Sequence, residues 1–406
     1  MNNLRVSMRM GGLLKLLLVA AGLAILVGAT ASLFDALALR RDDDFGILWG
    51  SAYLHRTGGN PYSLGDLNRI LKDIGHEPIP QEAVALMWYA PYAFAALFPF
   101  ALLPYPIARA LWFWLSLIAL AVSFAWIWRR YAGPSSRIWI AWVLGFFFFP
   151  TLTMWLKGQI GWLVLLGLIG LVISLERNSP IGAGLALLPL LLKPHLVYLV
   201  LLVYLLWAWR QRFGAAVGIS ALGLGIATAI AWILNPHVLP HYLQAMRSHA
   251  PLGWATPTTG FMLRLLLGLD RAWLSFLPMI PGMAWAAWRW RARRARWSWM
   301  DEMPPLIIAS ILTSPYGWSF DWVLMMWPLL QVAAAIAQAS KPALAIGGYA
   351  ASMIGINLLG FFTYLFAYPY FWGDVSQIWM PWIISIKYIM FRRFLTYRKM
   401  KNAFVS

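Results

Sequence analysis

Apolar residues fall in long blocks, broken by short polar turns. The blocks lie near 13–39, 86–103, 106–128, 138–156, 160–175, 180–192, 195–209, 213–234, 259–290, 303–314, 318–338, 342–366 and 376–395. A helix that is apolar all round is solvated by lipid or by other helices, so the pattern predicts an all-α polytopic membrane protein. At about 20 residues per crossing the chain has room for about 12 transmembrane helices. Several blocks are short or carry Pro. We find no repeat of fixed period and no low-complexity linker, and expect one membrane domain over 1–406.

Composition agrees with the pattern. Of 406 residues, 61% are hydrophobic and 11% charged, whereas an average soluble protein is roughly a quarter charged. A soluble enzyme with one anchor and a disordered chain are both excluded. At the N-terminus Arg5, Arg9 and Lys15 precede an apolar run, and Ala29-Thr30-Ala31 resembles a signal-peptidase site. The apolar stretch continues to about Leu39, long enough to span, and is expected to be a retained first crossing.

Charge orients the crossings. Lys and Arg number 32 against 14 Asp and Glu, a net charge of +18. Positive-inside bias and contact with anionic membrane lipids account for that excess without a nucleic-acid partner. The clusters Arg129/Arg130/Arg137, Arg210/Arg212, Arg289 to Arg296 and Arg392 to Lys401 are all cytoplasmic only if 86–103 does not cross. That segment carries Pro91 and Pro99 and is expected to lie along the outer interface. Both termini are then cytoplasmic, and the outer face receives a long first loop over 40–105 and polar turns. The absence of Cys excludes disulfides and thiolate chemistry and suits a bacterial envelope protein.

Two groups of polar residues face that side. Asp42-Asp43-Asp44-Phe45 follows the first crossing. A carboxylate against apolar neighbours at a membrane surface can serve as a general base, whereas an acidic run is otherwise solvated surface. The second group is a set of tight turns: Lys157-Gly158-Gln159, Lys193-Pro194-His195 and Ser314-Pro315-Tyr316-Gly317-Trp318. A Lys at a membrane edge either snorkels to headgroups or binds a specific phosphate, and two Lys on the acid-rich side favour the phosphate. Asp321 and Arg109 are ionisable residues in apolar surroundings and join the candidates, as does Arg264. Pro236 and Pro240 argue against a metal pair from His237 and His241, and no metal site is expected. No Gly-rich nucleotide loop and no Ser/His/Asp order is present.

The motifs in order resemble a family. Asp44-Phe45, a Trp, then Gly58-Gly59-Asn60-Pro61-Tyr62 are similar to the opening signature of the polyprenol-phosphate-sugar-dependent glycosyltransferases of family 87, within the GT-C superfamily. Trp88-Tyr89-Ala90-Pro91-Tyr92 with Leu102-Leu103-Pro104, Gly158-Gln159, Gly184 to Lys193-Pro194, and Ser314-Pro315-Tyr316-Gly317-Trp318 resemble later elements of the same family. Departures are Tyr92 in place of a second Pro, and Ser319-Phe320-Asp321-Trp322 where the family commonly has His.

The resemblance implies a GT-C-type fold whose long outer loop carries juxtamembrane helices. It implies an inverting transferase that moves one sugar, mannose- or arabinose-like, from a polyprenyl-phosphate donor. The acceptor is a glycan, lipid or protein at the periplasmic face of the bacterial inner membrane. Asp44 is implied as the catalytic base, with Asp42 and Asp43 solvated. Lys193, Lys157, Gln159, His195, Arg109, Tyr62, Trp318 and Asp321 are the candidates for the donor phosphate and substrate. A divalent metal is possible but not required, since fixed cations can neutralise the leaving phosphate. The alternative is a transporter or flippase of lipid-linked sugars, which favours internal repeats and midplane sites over a long outer loop. A structural or assembly subunit leaves the Asp, Lys and Gln residues without a role.

Overall fold

The computed structural model describes residues 2–37, 43–79, 87–248, 254–338, 342–367 and 375–403. Among these residues every regular element is a helix: eighteen α-helices joined by turns and short 3-10 segments. Contacts divide the chain into two compact units. The first comprises Met1–Leu115 with Ile230–Leu243, the second Ser116–Ala229 with Gln244–Ser406.

The first unit holds α1 (Asn2–Ala36), α2 (Asp44–Arg56), α3 (Leu64–Asp73), α4 (Phe94–Ala101) and the start of α5 (Tyr105–Arg130). Helices therefore do form within 40–105, where the sequence leads us to expect a long loop. Ser63 caps α3 by accepting the Asp66 N–H, and Leu67 and Leu71 on one face of α3 pack with Leu54 and Ile79. The α2 indole Trp49 donates to the Phe100 carbonyl at the end of α4 (3.0 Å). The apolar helical stretch Pro91–Ala101 would extend about 16 Å, roughly half the hydrocarbon thickness, so it cannot cross alone.

In the second unit, α6 (Ile138–Phe146) and α7 (Phe149–Lys157) are followed by α8 (Gly161–Glu176), α9 (Pro180–Leu190) and α10 (Tyr198–Arg210). Next come α11 (Gly214–Leu234) and α12 (Val238–Ser248), which link the units, then α13 (Thr259–Leu267), α14 (Met279–Arg293) and α15 (Trp299–Thr313). A 3-10 segment Ser319–Met325 runs into α16 (Met326–Ala337), and α17 (Pro342–Ala367) and α18 (Trp379–Ala403) complete the unit.

Among the described residues five helical stretches are long and apolar enough to cross a bilayer: Val19–Ala36, Tyr105–Arg130, Gly214–Leu234, Ser319–Ala337 and Ile346–Phe366. A sixth is available if α6 and α7, bent by 61° near Pro150, count as one. The apolar block expected over 259–290 is broken: α13 stops at Gly268 (φ +134°), and α14 begins after Pro278. Ser319–Ala337 is 89% buried within the protein, against 6% for Val19–Ala36 and 11% for Gly214–Leu234, so it is an interior element and those two are peripheral.

Candidate functional site

Two polar clusters among the described residues, one in each unit, contain residues that the sequence singled out. The first is built on the N-terminus of α2. Asp43 precedes the helix in extended conformation (φ −109°, ψ 148°), and its side chain accepts the Gly46 N–H at 2.7 Å. This satisfies one of the orphan donors of the first turn. The same carboxylate accepts the Tyr105 hydroxyl at 2.7 Å and pairs with the Arg109 guanidinium. Tyr105 and Arg109 are four apart on α5 and so lie on one face. His76 closes the group from the other side, its Nδ1 2.7 Å from the Glu77 carbonyl and its Nε2 2.8 Å from the carbonyl and 3.1 Å from the N of Asp43. Gly46 is required there, because a Cβ would stand 2.6 Å from the His76 ring.

Asp43 is thus buried, with 1% exposure, and both its oxygens are engaged. The expectation that Asp43 is solvated surface is overturned: capping α2 and pairing with Arg109 draw it inside. Asp44, the next residue, begins α2 and is partly exposed. Asp42 lies outside the described residues. Arg109 is buried against Asp43 and the rings of Phe34 and Phe45. Tyr62 is buried too and donates its hydroxyl to the Tyr89 carbonyl at 3.0 Å, while burial pushes its phenol pKa upward.

The second cluster joins three turns. Gly158 ends α7 in the left-handed region (φ +66°), a conformation that favours glycine, and the chain turns so that Gln159 faces inward. Lys193 Nζ donates to Gln159 Oε1 at 2.9 Å and to Asp321 Oδ1 at 2.6 Å, and lies 4.9 Å from the Phe320 ring centre. Asp321 Oδ2 in turn accepts the Trp318 N–H at 3.0 Å, closing the turn after α15. Asp321 and Lys193 are 0% and 4% exposed, so Lys193 does not snorkel to headgroups. A buried pair of this kind fixes the two turns relative to one another.

His195, beside Lys193, has its Nε2 enclosed without a hydrogen-bond partner. Burial pushes its pKa down to about 4, with Asp321 opposing and Lys193 adding to the shift. Trp318 stacks on Phe320 and meets Trp254 edge-on, forming an aromatic wall. Lys157 is half-buried at the end of α7. Arg264 donates to the carbonyls of Leu269 (2.5 Å) and Trp254 (3.1 Å), a role in fixing the end of α13.

The structure therefore brings Lys193, Gln159, Asp321 and His195 together, and separately brings Arg109 to Asp43. Sequence reasoning missed Tyr105 and His76 as partners of Asp43. The spacing of Tyr105 and Arg109 was a usable signal; the approach of His76 from 33 residues away was not. The rings of His237 and His241 are 5.9 Å apart, and no group of three metal-ligating side chains occurs among the described residues.

Long apolar helices with buried ion pairs at their turns define a helical membrane protein. A family model, glycosyltransferase family 87, matches residues 88–315, more than half of the chain. The chain belongs to glycosyltransferase family 87 and is a membrane glycosyltransferase. The matched span includes Arg109, Lys157, Gln159, Lys193 and His195; Asp44, Tyr62, Trp318 and Asp321 lie outside it. No curated protein and no solved structure matches the chain.

Proposed function

We propose that the protein transfers one sugar, mannose- or arabinose-like, from a polyprenyl-phosphate carrier to a glycan, lipid or protein acceptor at the periplasmic face of a bacterial inner membrane, with inversion. Asp44 acts as general base and takes the acceptor hydroxyl proton. The acceptor oxygen bonds to the anomeric carbon as the bond from that carbon to the phosphate oxygen breaks. The electron pair leaves with the polyprenyl phosphate. Lys193, with Lys157 two residues before its partner Gln159, favours the departing phosphate electrostatically.

The observation that supports this reading is the different burial of two adjacent carboxylates. Asp43 is saturated by Gly46, Tyr105 and Arg109, whereas Asp44 is partly exposed on the first turn of α2. Arg109 then serves by holding Asp43, and through it the start of α2. Lys193 acts on the phosphate from a fixed position set by Asp321 and Gln159. The experiment is incubation of the purified full chain with a panel of polyprenyl-phosphate sugars, measuring release of polyprenyl phosphate. Release from at least one donor, dependent on acceptor, is expected. Turnover of nucleotide sugars alone would overturn the donor assignment.

A further inference from the structure

The region between α17 and α18 carries a surface groove that the sugar-transfer reading does not use. Its cavity is about 400 Å³, lined by Gly355, Ile356 and Leu359 of α17 and by Ile383, Lys387 and Met390 of α18. Leu359, Ile383 and Met390 are exposed, so the walls are open to the surroundings. A Cβ on Gly355, an exposed lining residue, would meet nothing within 4 Å, so a side chain there has room to enter the groove.

One residue in the groove is out of keeping with its walls. Lys387 is 7% exposed, and its ammonium stands 4.0 Å over the Tyr349 ring. Its polar contact is the Tyr349 carbonyl at 3.5 Å, an oxygen that already accepts the Ser352 hydroxyl at 2.7 Å. Among the described residues no carboxylate pairs with it. The buried cations Lys193 and Arg109, by contrast, each have an Asp, and buried Arg264 has close carbonyls on two of its nitrogens. A cation removed from water without a counter-ion is costly, and the ring face replaces only part of the lost hydration. One helical turn further on, Arg392 donates to the Tyr388 hydroxyl (2.9 Å), and the sequence continues with Arg393, Arg398, Lys399 and Lys401.

We propose that this groove seats one anionic phospholipid, its acyl chain along the apolar walls and its phosphate drawn to the Lys387 ammonium. The pairing of surfaces selects that class. A neutral hydrocarbon matches the walls and leaves the ammonium uncompensated; inorganic phosphate does the reverse. A zwitterionic lipid brings its own cation to a strip already rich in positive charge. The volume lies within the range of about 300–1,000 Å³ usual for small-molecule sites. The proposal is independent of how the sugar is transferred.

The test uses the full chain in neutral detergent, titrated with phosphatidylglycerol or phosphatidylcholine and read by native mass spectrometry. Wild type should bind phosphatidylglycerol at least tenfold more tightly than phosphatidylcholine. Lys387→Met should remove the preference, and Lys387→Arg should keep it. Gly355→Leu projects into open space and leaves the ammonium intact, so it should fold and weaken phosphatidylglycerol binding about tenfold by filling the groove. Unchanged binding in Gly355→Leu, or equal binding of the two lipids by wild type, would overturn the proposal. So would displacement of phosphatidylglycerol by equimolar polyprenyl phosphate, which would assign the groove to the isoprenoid carrier, or by inorganic phosphate.

Discussion

At the scale of single residues, the two adjacent acids differ because a helix start treats successive side chains differently. The capping residue turns its carboxylate back onto the first-turn N–H groups and is enclosed, while the next residue, already helical, is partly exposed. Asp44→Asn keeps size and polarity but cannot accept a proton, so sugar transfer should fall by roughly 10²–10⁴-fold with donor affinity retained. Asp43→Asn should act differently. It weakens a buried pair with Arg109, and losses on the order of 3–5 kcal/mol accompany removal of one partner of such a pair. Its signature is a lowered melting temperature together with lost activity; since Asn still caps a helix, a stable, fully active Asp43→Asn would contradict the role of the Arg109 pair. For the second cluster, Lys193→Ala should reduce donor-dependent turnover at least about tenfold. It also strands Asp321, so the informative variant is Lys193→Met with Asp321→Leu. Stability should recover there and turnover should not. Recovery of both would make the pair a structural pin alone.

At the scale of elements, the geometry of α2 depends on a residue with no side chain. Gly46→Ala forces the His76 ring away from the helix start, which should lower the melting temperature, and His76→Ala in the same chain should restore most of the loss. Independent, additive effects of the two changes would show that they do not touch. Histidine burial also sets a pH response. His55 in α2 is buried against Phe94, and desolvation lowers its pKa to about 4 from an ordinary 6.5. The unfolded chain therefore binds a proton that the folded chain resists, so stability is complete above pH 6.5 and declines as pH falls toward 4. His195, lowered to about 4, adds in the same direction. His55→Phe keeps the aromatic stack and should flatten part of that decline; a melting temperature independent of pH over this window in the wild type would refute the assignment.

At the scale of the whole molecule, sidedness is open to direct measurement because the chain has no Cys. A single Cys at Ser63, at the start of α3, should react with an impermeant maleimide in intact cells. One at Ser135, in the exposed turn before α6, should react only after permeabilisation. Labelling of Ser135 from outside would reverse the expected orientation and place the first loop in the cytoplasm.

The sequence by itself determined the class. Long apolar blocks, clustered Lys and Arg and a run of ordered motifs suffice for a helical membrane protein of this family, because hydropathy and turn chemistry are local properties. Local reasoning also selected Lys193, Gln159 and Asp321, since polar residues in apolar surroundings stand out one at a time. Only the tertiary structure joined them, across 34 and 128 residues, and only it put Asp43 inside and Asp44 at the edge. Three consecutive identical letters carry no record of which one caps a helix. That choice depends on Tyr105, Arg109 and His76 arriving from distant elements to neutralise and enclose a single carboxylate. The breaks near Pro150 and Gly268 use residues that permit a bend, but only the structure shows which Pro and Gly of an apolar block interrupt it, because apolarity reports that a segment avoids water and says little about whether it runs straight.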